Sequence, residues 1–323
     1  MQARFFLDAD AERWDAFCAV AYGATFLHTR RFLSYHGDRF IDRSVVIQDG
    51  EEWLGVMPAA RHDQNPDKVV SHPGITYGGM VHQGRLRGGA MLEAIAASAR
   101  LLDEAGFKSL EYKAVPNIYH RVPAQDDLYA LHRLGARASR CELSCCVDLL
   151  RRLPASQRRE RGVKKATRAG IEIEIGLHTA RELWAVLEDN LQRRHGVRPT
   201  HSIDEILTLA QWFPIEIDFV VARQAAAIVA GVVLFRGGPT VHAQYIASTE
   251  VGTKIGALDL VFEKCIERAQ TDRAQFFDFG ISTEEQGTIL NDGLYQFKSE
   301  FGGSGVVHQF FELDLKGAAH ADR

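Results

Sequence analysis

The 323-residue chain is short of cysteine, of proline and of any dominant charge, and each shortage removes a class of protein. Its five cysteines do not build a disulfide framework. Cys141, Cys145 and Cys146 lie in CELSCCVDL, an alternating run with no CxxC spacing and no histidine placed for zinc, so plain buried thiols are expected. A net charge of −4 and a pI near 6.4 exclude wholesale binding to DNA or an anionic membrane, while leaving room for a local basic patch. The longest apolar run, AAAIVAGVVLF at 225–235, is about half of the ~20 residues that cross a bilayer, so it suits a buried strand rather than an integral membrane segment. Asp8, Asp10 and Glu12 occupy the place where an export signal keeps its apolar stretch, which points to the cytoplasm. GxSxG, HExxH, P-loop and GxGxxG patterns are missing, and thirteen histidines without ligand spacing give no metal site. His195 and His201, at the ends of HGVRPTH, read as a helix end and loop.

What is present is an ordinary globular composition, 46% hydrophobic and 25% charged, on a chain long enough for two domains. An internal repeat organises it. GGAMLEAIAASARLLDEAGFKSLEYKAV starts a helix at Gly89-Ala90, and GALDLVFEKCIERAQTDRAQFFDFGI starts a similar one at Gly256-Ala257, 167 residues later; each leads into a short strand. Downstream, LYALHRLGARASRCELSCCVDL from Leu128 faces LYQFKSEFGGSGVVHQFFELDL from Leu294 at a spacing of 166. Alternation marks strands such as SVVIQ, EWLGVMPAA, SLEYKA, IEIDFVVA, AIVAGVVLF, TVHAQYIAS and QFFDFG, and 3.6-residue periodicity marks helices at 90–105, 125–133, 179–195, 202–212, 255–269 and 288–300. Each half is therefore expected to be an α/β (α+β) unit, a mixed and mostly antiparallel sheet flanked by helices. The expected division is 1–150, a connecting segment 151–170, 171–315, and a frayed tail 316–323.

The connecting segment, LLRRLPASQRRERGVKKATRAG, sets eight basic residues against Glu160 alone, with Ser156 as N-cap and Gly170 as stop. It is either a solvated helix face or a docking surface for phosphates, with Arg158, Arg161, Lys164 and Arg168 as the contacts.

Strand pairs, a helix entered through a glycine turn, and a closing strand-helix-strand, written twice, resemble the tandem GNAT-type acyltransferases of the FemABX kind. RRERGVKKATRAGIEIEI, ASTEVGTKIGALDLVFEKCIERA and FDFG followed by LYQFKSEFGG support the resemblance, which spans most of the chain. It implies two tandem GNAT-like domains. The implied reaction moves an acyl or aminoacyl unit from acyl-CoA or aminoacyl-tRNA onto an amine of a cell-envelope precursor or amino sugar, without a metal or a tightly bound cofactor. The acceptor would be a small molecule, nucleotide-linked in some members. The other reading is a catalytically inactive GNAT-fold module that binds a nucleotide-linked envelope or polysaccharide precursor.

Amine attack on an ester or thioester develops an oxyanion, and a cation fixed beside it is usually the largest catalytic contribution. Lys298, held between Phe297 and Phe301, suits that role, and the resembling family has a Phe-Lys pair associated with catalysis at the matching place. The alternative is a lysine that complements its helix dipole and faces water. The first half has Leu131-His132 there, so the chemistry is expected in the second copy. Asp278 in FFDFG points away from the face of its two phenylalanines and either takes the amine's proton or caps the next loop. Substrate is assigned to Phe297, Tyr295 and Gln244 in the second half, and to His72, Tyr77, Lys113, Asn117, Tyr119 and His120 in the first, which would line an acceptor cleft between the halves. For His72 to Gly79 a hairpin turn is the competing reading, and for 112–120 an ordinary polar loop.

Standard acetyl-CoA-binding GNATs carry Gln/Arg-x-x-Gly-x-Gly/Ala at a helix N-terminus. Aligning Gly256 puts Thr253 where Gln or Arg belongs and Leu258 where Gly or Ala belongs. Gly252, Lys254 and Gly256 still stand at a helix start, with Lys254 and Gly256 assigned to donor phosphate, so the departure tilts the donor toward aminoacyl-tRNA or another unusual donor and leaves CoA open. No cysteine or serine has an activated setting, so a direct ternary mechanism is expected.

Overall fold

A computed structural model describes residues 1–319, apart from the side chains at 194 and 195. The chain forms two compact units. The first holds Met1–Leu143, Glu285–Ile289 and the C-terminal stretch from Val307; the second holds Ser144–Glu284 and Leu290–Val306.

In the first unit, β1 (Gln2–Phe5) is followed by α1 (Ala11–Val20) and the short α2 (Arg30–Leu33). Strands β2 (Val45–Asp49), β3 (Glu52–Met57), β4 (Ala60–Arg61), β5 (Lys68–Val70) and β6 (Val81–His82) come next. The unit's part of the repeat is α3 (Gly89–Glu104), β7 (Ser109–Lys113), α4 (Asp126–Arg133) and β8 (Arg137–Asp148). EWLGVMPAA, expected as one strand, breaks in two because Pro58 has no N–H to give a ladder. One sheet therefore runs β1-β2-β3-β6, all antiparallel, while β4 and β5 join the second, in which β5 lies parallel to β7. Met91, Ile95, Ala99 and Leu102, at helical spacing along α3, pack with Val45, Ile47, Leu110 and Leu131 in the core.

In the second unit α5 (Gln157–Arg168) leads to β9 (Glu172–Ile175), α6 (Ala180–His195), α7 (Ile203–Trp212), β10 (Ile217–Gln224), β11 (Ala227–Gly237) and β12 (Thr240–Ser248). After these come α8 (Glu250–Ile255), α9 (Ala257–Thr271) and β13 (Phe276–Ile281). The segments β14 (Thr283–Glu284) and β15 (Ile289–Leu290) precede α10 (Asp292–Ser299), and β16 (Ser304–Asp314) and α11 (Leu315–Ala319) complete the described chain. Strands β9 to β12 form an antiparallel meander, β12 lies parallel to β13, and β13 is antiparallel to β8. Ser156 caps α5 by accepting from the Arg159 N–H at 3.3 Å, and Gly170 at φ +72° ends it, as its sequence implied.

The closing strands are exchanged, which moves the domain boundaries from those expected. β8 follows the first copy of the repeat yet pairs with β13 through Cys146–Asp148, and β16 follows the second copy yet pairs with β7 through Phe310–Asp314. The boundary thus falls inside strands, at 143/144 and 306/307, and not at 150 and 171. The expected tail also changes: residues 316–319 belong to α11, whose Leu315 and Ala318 join the first core, and 320–323 lie outside the described residues. Among the thiols, Cys18, Cys145, Cys146 and Cys265 are buried as expected, whereas Cys141 is exposed.

Helix α5 presses on α9 at a contact that only glycine permits. A Cβ on Gly162 would stand 1.8 Å from Asp259 Oδ2, and one on Gly256, at φ +78°, would stand 2.8 Å from the Gly162 carbonyl oxygen. Asp259 cannot yield freely, since its Oδ1 is 2.5 Å from the buried Arg159 guanidinium. Gly162→Ala is expected to cost about 1–3 kcal/mol of stability in urea unfolding. A loss within about 0.5 kcal/mol would mean that the two helices do not bear on each other there.

Candidate active site

β12 and β13 pair at only three positions, Thr240 with Phe276, Val241 with Phe277 and His242 with Asp278. Two sequence features end the pairing. Gly280 takes φ +77°, a conformation β-ladders do not hold, and β12 slips its register on β11 between Ala243 and Tyr245, leaving Gln244 as a bulge. Beyond His242 the two strands part, and polar side chains of the unit collect at the parting.

Asp278 is fully buried, on the opposite face from Phe277 and Phe279 as the alternation implied. Its Oδ2 lies 2.8 Å from His242 Nδ1, and its Oδ1 accepts from the Ser144 hydroxyl and, at 3.1 Å, from the Gly280 N–H. The carboxylate thus both caps the turn that follows and grips a histidine. Lys298 comes from α10, whose first turn is set by Asn291 Oδ1 accepting from the Leu294 N–H at 3.0 Å. The lysine is 3% exposed, and its Nζ donates to the carbonyls of Gly280 at 2.9 Å and Ile281 at 2.5 Å. A water-facing lysine on a helix end is therefore excluded. Two of its three N–H groups are committed, and the third has no protein acceptor among the described residues. Burial draws its pKa from 10.5 down to about 8, with Asp278 and then Cys145 pulling it back up, so it is still an ammonium at neutral pH.

Tyr295 and Lys298, three residues apart, share the α10 face toward Cys145, and burial raises the Tyr295 pKa. Phe297 faces the other way. It packs with Phe262 and Phe301 in the second core under the Arg159 guanidinium, 4.7 Å from the ring centre, so it anchors the helix and is not a platform for substrate. The Cys145 thiol is pushed up to about 12 by burial, which rules it out as a resting thiolate.

The donor residues lie on α5, α8 and α9, on the Phe297 side of α10. A Cβ on Gly256, at the N-terminus of α9, would stand 2.8 Å from the Gly162 carbonyl oxygen and 3.1 Å from the Arg159-paired Asp259 carboxylate, so the glycine there makes room for α5. The Lys254 side chain stays exposed, while its carbonyl accepts from Lys165 Nζ at 2.7 Å. Arg158, Arg161, Lys164 and Arg168 are exposed along α5. Its inward arginine, Arg159, lies between Asp259 and Glu300 and borders a groove of ≈ 480 Å³ with Arg152, Lys164 and Glu263.

The first-unit residues fall into two groups. Lys113 is buried and donates to the carbonyls of His72, at 3.2 Å, and Ile75, so both lysine and histidine hold the 72–75 turn and neither is open to substrate. Gly78 and Gly79 are demanded by Ser71 and Tyr112, whose oxygens would stand 1.9 and 2.8 Å from a Cβ at those positions. The glycines there make room for protein and not for a ligand. Tyr77 and Tyr119 stack at 4.4 Å beside His28, and His120 Nε2 is 3.2 Å from the Val115 carbonyl; Asn117 alone of the set is exposed.

Residues 155–299 match the family described as acetyltransferase (GNAT) domain. This segment is a GNAT domain. Among solved structures the chain is similar to FemX at 12% identity, with 97% of each chain covered and a TM-score of 0.68. It is similar to L-PGS from Bacillus licheniformis at 14% identity, covering 97% of this chain and 98% of that one at TM-score 0.63. A tandem GNAT protein from the clavulanic acid biosynthesis pathway, 13% identical, covers 97% and 99% at TM-score 0.52. No curated protein matches the sequence. The chain as a whole thus has the tandem GNAT fold, and the GNAT domain makes it an acyltransferase.

Of the residues that meet at this parting, sequence reasoning singled out Lys298 and Asp278 and passed over His242 and Ser144. His242 is one letter in TVHAQYIAS, and nothing in that run announces that it will register with Asp278; only the parallel pairing does.

The buried ammonium of the GNAT domain makes stability depend on pH. The folded lysine releases its proton at about 8 and the unfolded one near 10.5, so between these values the unfolded chain binds more protons and stability rises with pH. The cost of burying the charge is in full force below pH 8. Measured by urea unfolding against Lys298→Met, the wild type is expected to gain on the order of 3 kcal/mol between pH 8 and 10.5. A difference that stays flat across this range would contradict a buried ammonium.

Proposed function

We propose that the chain transfers an aminoacyl group from aminoacyl-tRNA to the amine of a cell-envelope precursor or amino sugar, with Lys298 polarising the reacting carbonyl. The observation behind it is the Lys298 ammonium, held out of water at the parting of β12 and β13 with one N–H uncommitted among the described residues. In that setting a fixed charge acts through little solvent and needs no reorganisation as the oxyanion forms. The amine nitrogen bonds to the carbonyl carbon, the ester C–O bond breaks, and the amine's proton ends on the departing ribose hydroxyl. With the buried thiols protonated, the transfer is direct and passes through no acyl-enzyme.

The choice of donor rests on α5 and α9. The N-terminus of α9, where a GNAT holds CoA pyrophosphate, is faced here by a carbonyl and a carboxylate. Meanwhile α5 offers Arg158, Arg161, Lys164, Lys165 and Arg168 on its exposed side, a row suited to the repeated phosphates of an RNA strand. A cytoplasmic location follows from that donor.

Two measurements decide this reading. A charged-tRNA mixture is expected to raise the melting temperature by mass action, about 2.7 kcal/mol of stabilisation at a hundred times Kd, and acetyl-CoA to leave it unchanged. Stabilisation by micromolar acetyl-CoA would turn the donor to CoA, and no response to either would favour a binding module. With the same tRNA mixture and a panel of glucosamine, lysine and ethanolamine as acceptors, Lys298→Met is expected to lower kcat about 10²–10³-fold. Unchanged turnover would remove Lys298 from the chemistry.

A further inference from the structure

We infer that His242 is the general base of this site, taking the proton that the acceptor amine loses on becoming an amide; the inference rests on the acyl-transfer reading above and adds a residue to it. Nothing in the run TVHAQYIAS singles out this histidine. It is the geometry of the parting strands that singles it out.

A base needs a lone pair, access, and a partner that fixes its tautomer. His242 has all three. Its Nδ1 lies 2.8 Å from Asp278 Oδ2, and an ionised carboxylate only accepts, so the proton of the neutral ring sits on Nδ1 and the lone pair on Nε2. The ring is 13% exposed where its carboxylate is fully buried, so one edge of it reaches the surface of the parting. Nε2 has no hydrogen-bond partner among the described residues. That edge is kept clear by Gly280: a Cβ there would stand 3.2 Å from the ring's Cε1 and 3.9 Å from Nε2. Asp278 itself is immobilised by the Ser144 hydroxyl and the Gly280 N–H.

The competing groups at the parting fail on one requirement each. Asp278 has no exposure and is already bonded at both oxygens. Lys298 is an ammonium that donates to two carbonyls, and Cys145 and Cys146 are protonated thiols whose burial raises their pKa. These same groups are the charges and titrating partners around the imidazole: Asp278 on β13, Lys298 on α10 beyond it, and the two thiols on β8. On the β11 side its register partner is Phe235, which is uncharged. Base and cation share one mount, since a Cβ on Gly280 would meet the imidazole while its carbonyl accepts from Lys298.

The proton path balances. As the amine nitrogen bonds to the donor carbonyl carbon, the N–H proton passes to His242 Nε2, giving an imidazolium that Asp278 stabilises. When the carbon–oxygen bond to the donor ribose breaks, the imidazolium returns that proton to the leaving oxygen. Lys298 keeps its proton throughout.

The decisive variant is His242→Gln, whose amide can still donate to Asp278 but offers no base. With the charged-tRNA mixture and the amine panel, kcat is expected to fall about 10²–10⁴-fold with the KM for tRNA little changed. Asp278→Asn, a change at the positioning residue, is expected to lower kcat with the KM for tRNA little changed, because the imidazolium loses its counter-charge and the ring its fixed tautomer. Nitrogen-15 NMR of the free wild-type protein should find His242 protonated on Nδ1 when neutral. Retention of kcat within about threefold in His242→Gln, beside an active wild type, would sink the base and leave acyl transfer standing. A proton on Nε2 in the NMR would sink it too, and this readout serves if His242→Gln does not fold. A wild type inert toward every donor and amine would instead remove the acyl-transfer reading and the base with it.

Discussion

The ammonium of Lys298 lies out of water against the carbonyl oxygens of Gly280 and Ile281, and a charge so placed is tolerable only while those two oxygens stay where they are. That requirement fixes the end of β13, and with it the turn at Gly280 that lets β13 leave β12. It also fixes the rotation of α10. With Lys298 turned to the strand end, Phe297 and Phe301 must turn to α9, where they join Phe262, Phe277 and Phe279 in one aromatic cluster. The same cluster carries the Arg159 guanidinium on its Phe297 edge, so the clamp between α5 and α9 is built on the helix that presents the lysine.

This coupling ties the helix of the lysine to the packing of α5 on α9. Gly162 and Gly256 allow α5 to approach α9 until backbone touches backbone, and Arg159 secures the approach through Asp259 and Glu300. The approach fills the helix N-terminus with carbonyl and carboxylate. The opposite side of α5 keeps Arg158, Arg161, Lys164 and Arg168 exposed.

Most elements were legible in the sequence because their signals are local. The alternation in QFFDFG, the periodicity of 90–105 and 179–195, and the cap and stop of α5 each reside within a dozen residues, and each element formed where they indicated. Lys298 was legible because the repeat shows what a scaffold residue would have been at its place. What was not legible depends on pairing. The exchange of β8 and β16 between the units cannot be seen from two copies of one motif, since either pairing satisfies the same alternation. His242, Ser144 and Asp278 come from three strands and meet only through register. The misassignments of His72 and Lys113, and of the glycines at 78 and 79, share a cause: polar and glycine residues near loops look available in sequence, whereas here Ile75, Ser71 and Tyr112 had already taken them.

The central claim is that Lys298 polarises the carbonyl undergoing attack, and isotope-edited infrared spectroscopy of a bound donor tests it without waiting for the natural acceptor. A hydrolysis-resistant 3′-amide analogue of an aminoacyl-adenosine, labelled with carbon-13 at its carbonyl, would be bound to the wild type and to Lys298→Met. The account predicts a carbonyl stretch at lower frequency in the wild type than in the variant, because the nearby ammonium draws electron density toward oxygen. The same frequency in both complexes would contradict it.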